Sequence, residues 1–234
     1  MKLSLKPSLI IAALAAASSI SMAHAALLGP SPYLSSADSP FSPFSGFTYF
    51  HLENFEDHLL NTPGVTASAG VMASGVFASS LNDSVDADDG LVNGNGSRGD
   101  DLFFGSGNTG ISFTFDAGVL GGLPDAVGIV WTDGGGTIRF EAFDALNQSL
   151  GVLFGDHADG SIFGTTSEDR FYGATSPGGI SRIRISNSGG GIEVDHLQYG
   201  LTAPVPEPET WALLLAGRGL VGFTARRGGG AGGA

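Results

Sequence analysis

The sequence predicts an all-β protein folded as an antiparallel β-sandwich, and three observations lead there. First, short apolar-polar alternations recur. Ile111, Phe113 and Phe115 would face one way with Ser112 and Thr114 opposite, and Ile183 and Ile185 would face inward with Arg182 and Arg184 outward. Second, the runs are closely spaced and separated by Gly, Asp and Asn, the residues of tight turns. Third, 38 Gly and 16 Phe accompany an apolar content of 42%, while no segment of the body carries a long helical period.

The elements are expected in this order. Residues 1–25 read as a signal peptide. Lys2 and Lys6 form a positive start, Leu9 to Ala17 an apolar stretch too short for a membrane span, and Ala23-His24-Ala25 a small-x-small cleavage site. Residues 26–46, rich in Pro and Ser, read as an extended lead-in. Residues 47–200 form the sandwich. Its candidate strands are FTYFHLENFE, VMASGVF, GISFTFD, AVGIVWT, TIRFEAFD, SLGVLF, DRFYG, ISRIRIS and GIEVDHLQY. Residues 56–61 could add one helical turn before Pro63-Gly64. Residues 201–234 differ in kind. Pro206 and Pro208 hold that segment extended, Trp211 opens an apolar run to Ala225 expected to form a short hydrophobic helix, and Arg226 and Arg227 close it.

Charge narrows the function classes. The 234-residue chain carries a formal charge of −13, and both lysines lie at its extreme N-terminus. Between Ala26 and Pro204 there are 21 acids and 5 arginines, a net of −16. Such a body repels phosphate backbones, so nucleic acid is excluded as a partner. It suits cations, or neutral polymers read by hydrogen bonds. Cysteine is absent, which removes disulfides, thiolate metal sites and thiol nucleophiles.

The C-terminal layout of Val205-Pro206-Glu207-Pro208-Glu209, then Trp211 to Gly217, then Arg226-Arg227, resembles the PEP-CTERM sorting signal of secreted proteins of Gram-negative bacteria. The resemblance covers about the last 30 residues. It implies export by the secretion machinery and signal peptidase, transient anchoring in the inner membrane, and cleavage near the motif by an exosortase-type membrane enzyme. It also implies a final place at the cell surface or in the extracellular matrix of a polysaccharide-producing cell. Two departures are visible. Arg218 interrupts the apolar run, which costs about 2.5–3.5 kcal/mol at mid-span on insertion scales. The run is also 15 residues long, where a full span takes about 20.

Glu53-Asn54-Phe55-Glu56-Asp57 and Ile192 to Gly200 resemble the opening and ending of extracellular jelly-roll modules, including carbohydrate-binding ones. The resemblance implies that the terminal strands pair and that Glu56 and Asp195 hold a structural calcium ion. Independently, Asn82 to Gly90 is the densest acidic stretch. Asp86, Asp88 and Asp89 with nearby carbonyls could serve the six to eight oxygens calcium takes, although the spacing is not that of an EF-hand.

Other motifs carry less. Gly94 to Gly99 spells G-x-G-x-x-G, but a polar loop precedes it and Asp100-Asp101 follows, so it is no dinucleotide fingerprint. Gly99-Asp100-Asp101 is a single turn and not a β-roll repeat. Neither G-x-S-x-G nor H-E-x-x-H occurs, and His51, His58, His157 and His196 lack ligand spacing. Glu141 and Asp169 read as surface acids. Trp131 and Tyr199 could stack on sugar rings. The expectation is a secreted, non-catalytic component that binds or builds the polysaccharide matrix, with a matrix hydrolase or lyase as the alternative.

Overall fold

The computed structural model describes residues 24–204 together with Leu215 and Arg218. It is an antiparallel β-sandwich with ten strands: β1 Ala26–Pro32, β2 Phe47–Glu53, β3 Val65–Ala67, β4 Val71–Met72, β5 Leu102–Phe104, β6 Ile111–Phe115, β7 Ala126–Phe143, β8 Ser149–Gly155, β9 Arg170–Thr175 and β10 Arg182–Thr202. One four-residue helix, α1 Ala117–Leu120, is capped by the Asp116 carboxylate.

Two strands make the sandwich. β7 has 18 residues and β10 has 21, about three times a typical strand. They pair along most of their length, and each is used twice. Residues 138–143 and 182–187 lie between β8 and β6, with β3 beyond β6. Residues 126–131 and 197–202 lie between β9 and β2, with β1 beyond β9. The paired ribbon therefore passes from one layer to the other, and β5 and β4 extend it at the crossing.

The crossing is built of glycine. Gly134-Gly135-Gly136 and Gly189-Gly190-Gly191 lie opposite each other, with Gly135 in register with Gly189 and Ile192 with Gly134. Gly134 has φ +153°, and a Cβ at Gly191 would sit 2.6 Å from the Phe103 ring. A side chain at either position would be strained or would displace a neighbour. Asn187 pins the bend, its Nδ2 donating to the carbonyls of Gly135 and Gly191, both at 3.0 Å.

The core explains the alternations. Phe113, Phe115, Phe140, Ile183 and Ile185 from one layer meet Val127, Ile129, Trp131, Tyr172 and Tyr199 from the other. Phe115 packs tilted against Tyr199 with centroids 5.0 Å apart, and Phe140 stacks on Tyr172 at 6.1 Å. The outer face of the β7–β9 pair is covered too. Ala126, Val130 and Phe171 pack under Tyr33 and Phe41, with Phe44, Phe47 and Phe50 alongside. That is why AVGIVW reads as an unbroken apolar run: both faces of the strand are buried.

Two expectations need correction. Residues 26–46 are not a lead-in outside the domain, because β1 is the edge strand against β9 and the Tyr33–Phe44 stretch roofs the second core. Residues 56–61 form a turn and not a helical turn. The glutamate before them settles it: Glu53 accepts from the N–H groups of Phe55, Asn61 and Thr62, so the chain folds around its carboxylate.

Candidate functional site

The long segment between β4 and β5 has no strand from residue 73 to 101, yet much of it is buried. Carboxylates hold it in place. Glu193 and Asp195, two apart on β10, face the same way. Glu193 Oε2 accepts from Asp83 N–H at 3.0 Å, and Asp195 Oδ2 from Val85 N–H at 2.9 Å. Asp86 Oδ1 accepts from the N–H groups of Asn93, Gly94 and Asn95 at 2.9–3.1 Å. Glu56 Oε1 accepts from Asp100 N–H at 2.7 Å.

Strand register then concentrates acids at this end of the sandwich. Glu193 is opposite Asp133 on β7. Trp131 is opposite Arg170, which places Asp169 and Glu168 beside Thr132 and Asp133. Leu102 is opposite Val194, which places Asp101 beside Asp195. Adjacent strands are about 4.8 Å apart, and like charges there repel. Asp83, Asp101 and Asp169 have no exposed surface; neither oxygen of Asp83 or Asp169 has a hydrogen-bond partner, and the Asp101 carboxyl lies against that of Glu193 and can bond it only by sharing a proton. Burial, reinforced by the neighbouring carboxylates, pushes all three up from the ordinary range. Glu168 is raised to about 8 for the same reasons. Desolvating one carboxylate costs several kcal/mol even after relaxation. Two of them uncompensated would take a large share of a total stability of about 5–15 kcal/mol.

The residues singled out for calcium separate. Asp195 and Asp88 come together, and with His196 their ligand atoms lie within 4.8 Å of one another. Glu56 is near enough that its charge, after burial and Asp88, helps to raise Asp195. His196 itself is already committed. The Tyr33 hydroxyl, which accepts from Gln198 Nε2 at 3.0 Å, lies 3.0 Å from His196 Nδ1, and His196 Nε2 lies 2.8 Å from Asp88 Oδ2, where the carboxylate accepts. Asp88 Oδ1 is left buried without a partner. The Asp88 and Asp195 carboxylates offer oxygens to a hard cation, with His196 orienting Asp88 and Glu56 outside the set whose ligand atoms converge. Asp89 stands apart and caps Leu91 N–H at 2.8 Å, and Asp86 turns Oδ1 to its three backbone donors while its Oδ2 is buried without a partner.

Trp131 and Tyr199 are fully buried, so neither offers a ring face to a sugar. Both fill the core, Tyr199 donating its hydroxyl to the Pro63 carbonyl at 2.6 Å. Asp169 is buried and not a surface acid, whereas Glu141 pairs with Arg139 at 2.7 Å on the surface side of the sheet. Ser74, His58 and Asp100 meet, but Ser74 Oγ donates to Asp100 at 2.8 Å and both approach the same ring nitrogen. That is not the nucleophile-to-base geometry of a serine hydrolase. Val205 to Glu209, Trp211, Arg226 and Arg227 lie outside the described residues. Leu215 and Arg218, which are described, are helical. Among the described residues no helix is long and apolar enough to cross a membrane.

A cleft of about 330 Å³ opens over the glycine crossing. Gly134, Gly135, Gly190 and Gly191 floor it, Phe77 and Phe103 wall one side, and Ile162 stands exposed at its mouth. The two phenylalanine rings meet edge to face at 4.7 Å. Asp133 and Glu193 reach its base. No residue of this cleft stood out in the sequence as a ligand contact, since its parts come from five separate segments. The paired glycine triplets were the visible signal.

No protein-family model matches the chain, and no curated protein does. Among solved structures, the C-terminal family 22 carbohydrate binding module of Clostridium thermocellum Xyn10B is similar at 10% identity. The match covers 69% of this chain and 98% of that one, with a TM-score of 0.36. A likeness of that degree carries no argument about ligand or activity.

Proposed function

We propose that this protein is an exported, non-catalytic binder of neutral polysaccharide, processed at Val205–Glu209 by an exosortase-type enzyme and retained at the cell surface. The cleft over the glycine crossing carries the binding part of this reading. Its volume is at the lower end of the range for small-ligand sites, about 300–1,000 Å³. Phe103 and Phe77 supply apolar surface for the C–H face of a sugar ring, while Asp133 and Glu193 can accept from hydroxyls. The bare glycine backbone lets a ring approach closely. The terminal motifs support the export part.

Retention of the purified chain on immobilised matrix polysaccharide tests this. Phe103→Ala should weaken retention about tenfold or more, a loss of about 1.4 kcal/mol or greater. Unchanged retention would remove the cleft from the account.

One observation favours the hydrolase reading. Asp133 and Glu193 face each other across two strands, and burial is the main cause that raises them, to about 6 and about 7. Paired carboxylates with raised values are the equipment of glycoside hydrolysis. Release of reducing ends by the native chain, lost in Asp133→Asn, would establish it over simple binding.

A further inference from the structure

The outer face of the β3–β6–β10–β7–β8 layer meets solvent, and three of the five arginines between Ala26 and Pro204 share it. Arg182 and Arg184 are two apart on β10, so they point the same way from backbone positions about 6.8 Å apart. Arg139 on β7 is opposite Ser186, one step further along, and opposite the exposed Phe154 on β8. The three arginines therefore form a stripe that runs with the strands and ends at an open aromatic ring. On the other side of β10, Thr114 and Ser112 of β6 are opposite Arg182 and Arg184 and add hydroxyls.

The charges of this stripe are held in place but not cancelled. Arg182 lies 3.6 Å over the Phe143 ring and donates to Asn147 Oδ1 at 2.7 and 3.2 Å. Arg184 donates to the Thr109 and Asn108 carbonyls at 2.6–3.3 Å. These acceptors are neutral. Among the described residues the only arginine–carboxylate ion pair is Arg139 with Glu141, so the stripe sets three positive charges against one negative. The acids at the ends of its strands, Asp116, Asp144 and Asp156, accept instead from the Gly118 N–H, the Leu146 N–H and the Thr137 hydroxyl. Like charges this close on one face repel, and an anion from outside relieves them.

We propose that this face binds a carboxylated polysaccharide laid along β10, with Arg182, Arg184 and Arg139 meeting its carboxylates and Phe154 the face of a sugar ring. A guanidinium takes a carboxylate through parallel N–H groups, and one already held in position loses little freedom on binding. The hydroxyls and the ring suit sugar. Duplex nucleic acid, with about one charge per 1.7 Å, would meet far stronger repulsion from the acidic body. At physiological salt the Debye length is about 8 Å, so acids at the far end of the sandwich are screened while contacts on the face are not. None of these residues lines the cleft, so the inference is separate from neutral-polysaccharide binding there.

The full chain is titrated calorimetrically with polygalacturonate and with its fully methyl-esterified form at physiological salt. The native chain should bind the charged polymer and not the ester. Arg182→Gln and Arg184→Gln should each weaken binding about tenfold or more. Arg98→Gln makes the same change in net charge at an exposed site in the 73–101 segment and should retain native affinity. If a variant fails to fold, phenylglyoxal labelling of the native chain reads the same face: the polymer should protect Arg182 and Arg184 and leave Arg98 reactive. No polygalacturonate bound by the native chain, equal binding of the ester, or an equal loss in Arg98→Gln would each overturn the proposal. An oligodeoxynucleotide bound as tightly as polygalacturonate would overturn it too, as the mark of an unselective anion face.

Discussion

His157 shows how one side chain ties the core to the loop end of the sandwich. Its Nε2 is 2.7 Å from the Tyr172 hydroxyl, and its ring meets Trp131 edge to face at 5.1 Å. Burial, followed by the charge of Arg170, lowers its pKa to about 4. The unfolded chain would take a proton near 6.5, so between those values the unfolded state binds more protons. His157 therefore favours folding above about pH 6.5, and that contribution is lost as pH falls toward 4. His157→Gln keeps a hydrogen-bonding partner for Tyr172 and cannot charge. Between pH 7 and pH 4.5 its melting temperature should change in the stabilising direction relative to the native chain's own change. Identical shifts in the two proteins would clear this ring of the effect. Close packing acts at the same scale. A Cβ on Gly128 would stand 2.2 Å from the Phe171 ring, so Gly128→Ala should destabilise by about 1–3 kcal/mol in urea unfolding.

Among the elements, β1 and the stretch after it matter most against expectation. Pro30 and Pro32 make the segment read as a linker, and prolines do belong on edge strands. β1 is such an edge, with a register shift between Leu28 and Ser31 that accommodates Pro30. The chain beyond it carries Tyr33 and Phe41 onto Val130 and Phe171. A chain starting at residue 47 should therefore expose that apolar face. It should bind a hydrophobic dye and aggregate, where one starting at residue 26 stays dispersed in light scattering. The strands over 111–115 and 182–186 were legible in sequence because one face of each meets solvent. The 126–131 strand hid its faces because both are buried, and the acidic 82–90 stretch stood out in the sequence without revealing its order, which comes from Asp86 within the loop, from Glu56, and from Glu193 and Asp195 over a hundred residues away.

At the scale of the whole molecule, addresses and body are separate problems. The body has two cores, both built from residues 27–199, and a bent ribbon that joins its layers. The proposed sorting depends on the motifs alone. Replacing Pro206 and Pro208 with Ala should leave the melting temperature of the body unchanged and block C-terminal processing, seen as an uncut mass in cell fractions. Normal trimming of that variant would remove the exosortase from the proposal.

The chain's composition and alternation determined, unaided, that it would be an antiparallel all-β sandwich with a strongly acidic body, because period two and turn residues act over a few neighbours. Tertiary structure alone decided that Trp131 and Tyr199 would be core, that the glycine triplets would face each other beneath a cleft, and that Asp88 would meet Asp195 and His196. Those outcomes depend on which strands become neighbours and in what register. That is set by packing two layers around one ribbon, a long-range condition that no short stretch of chain contains.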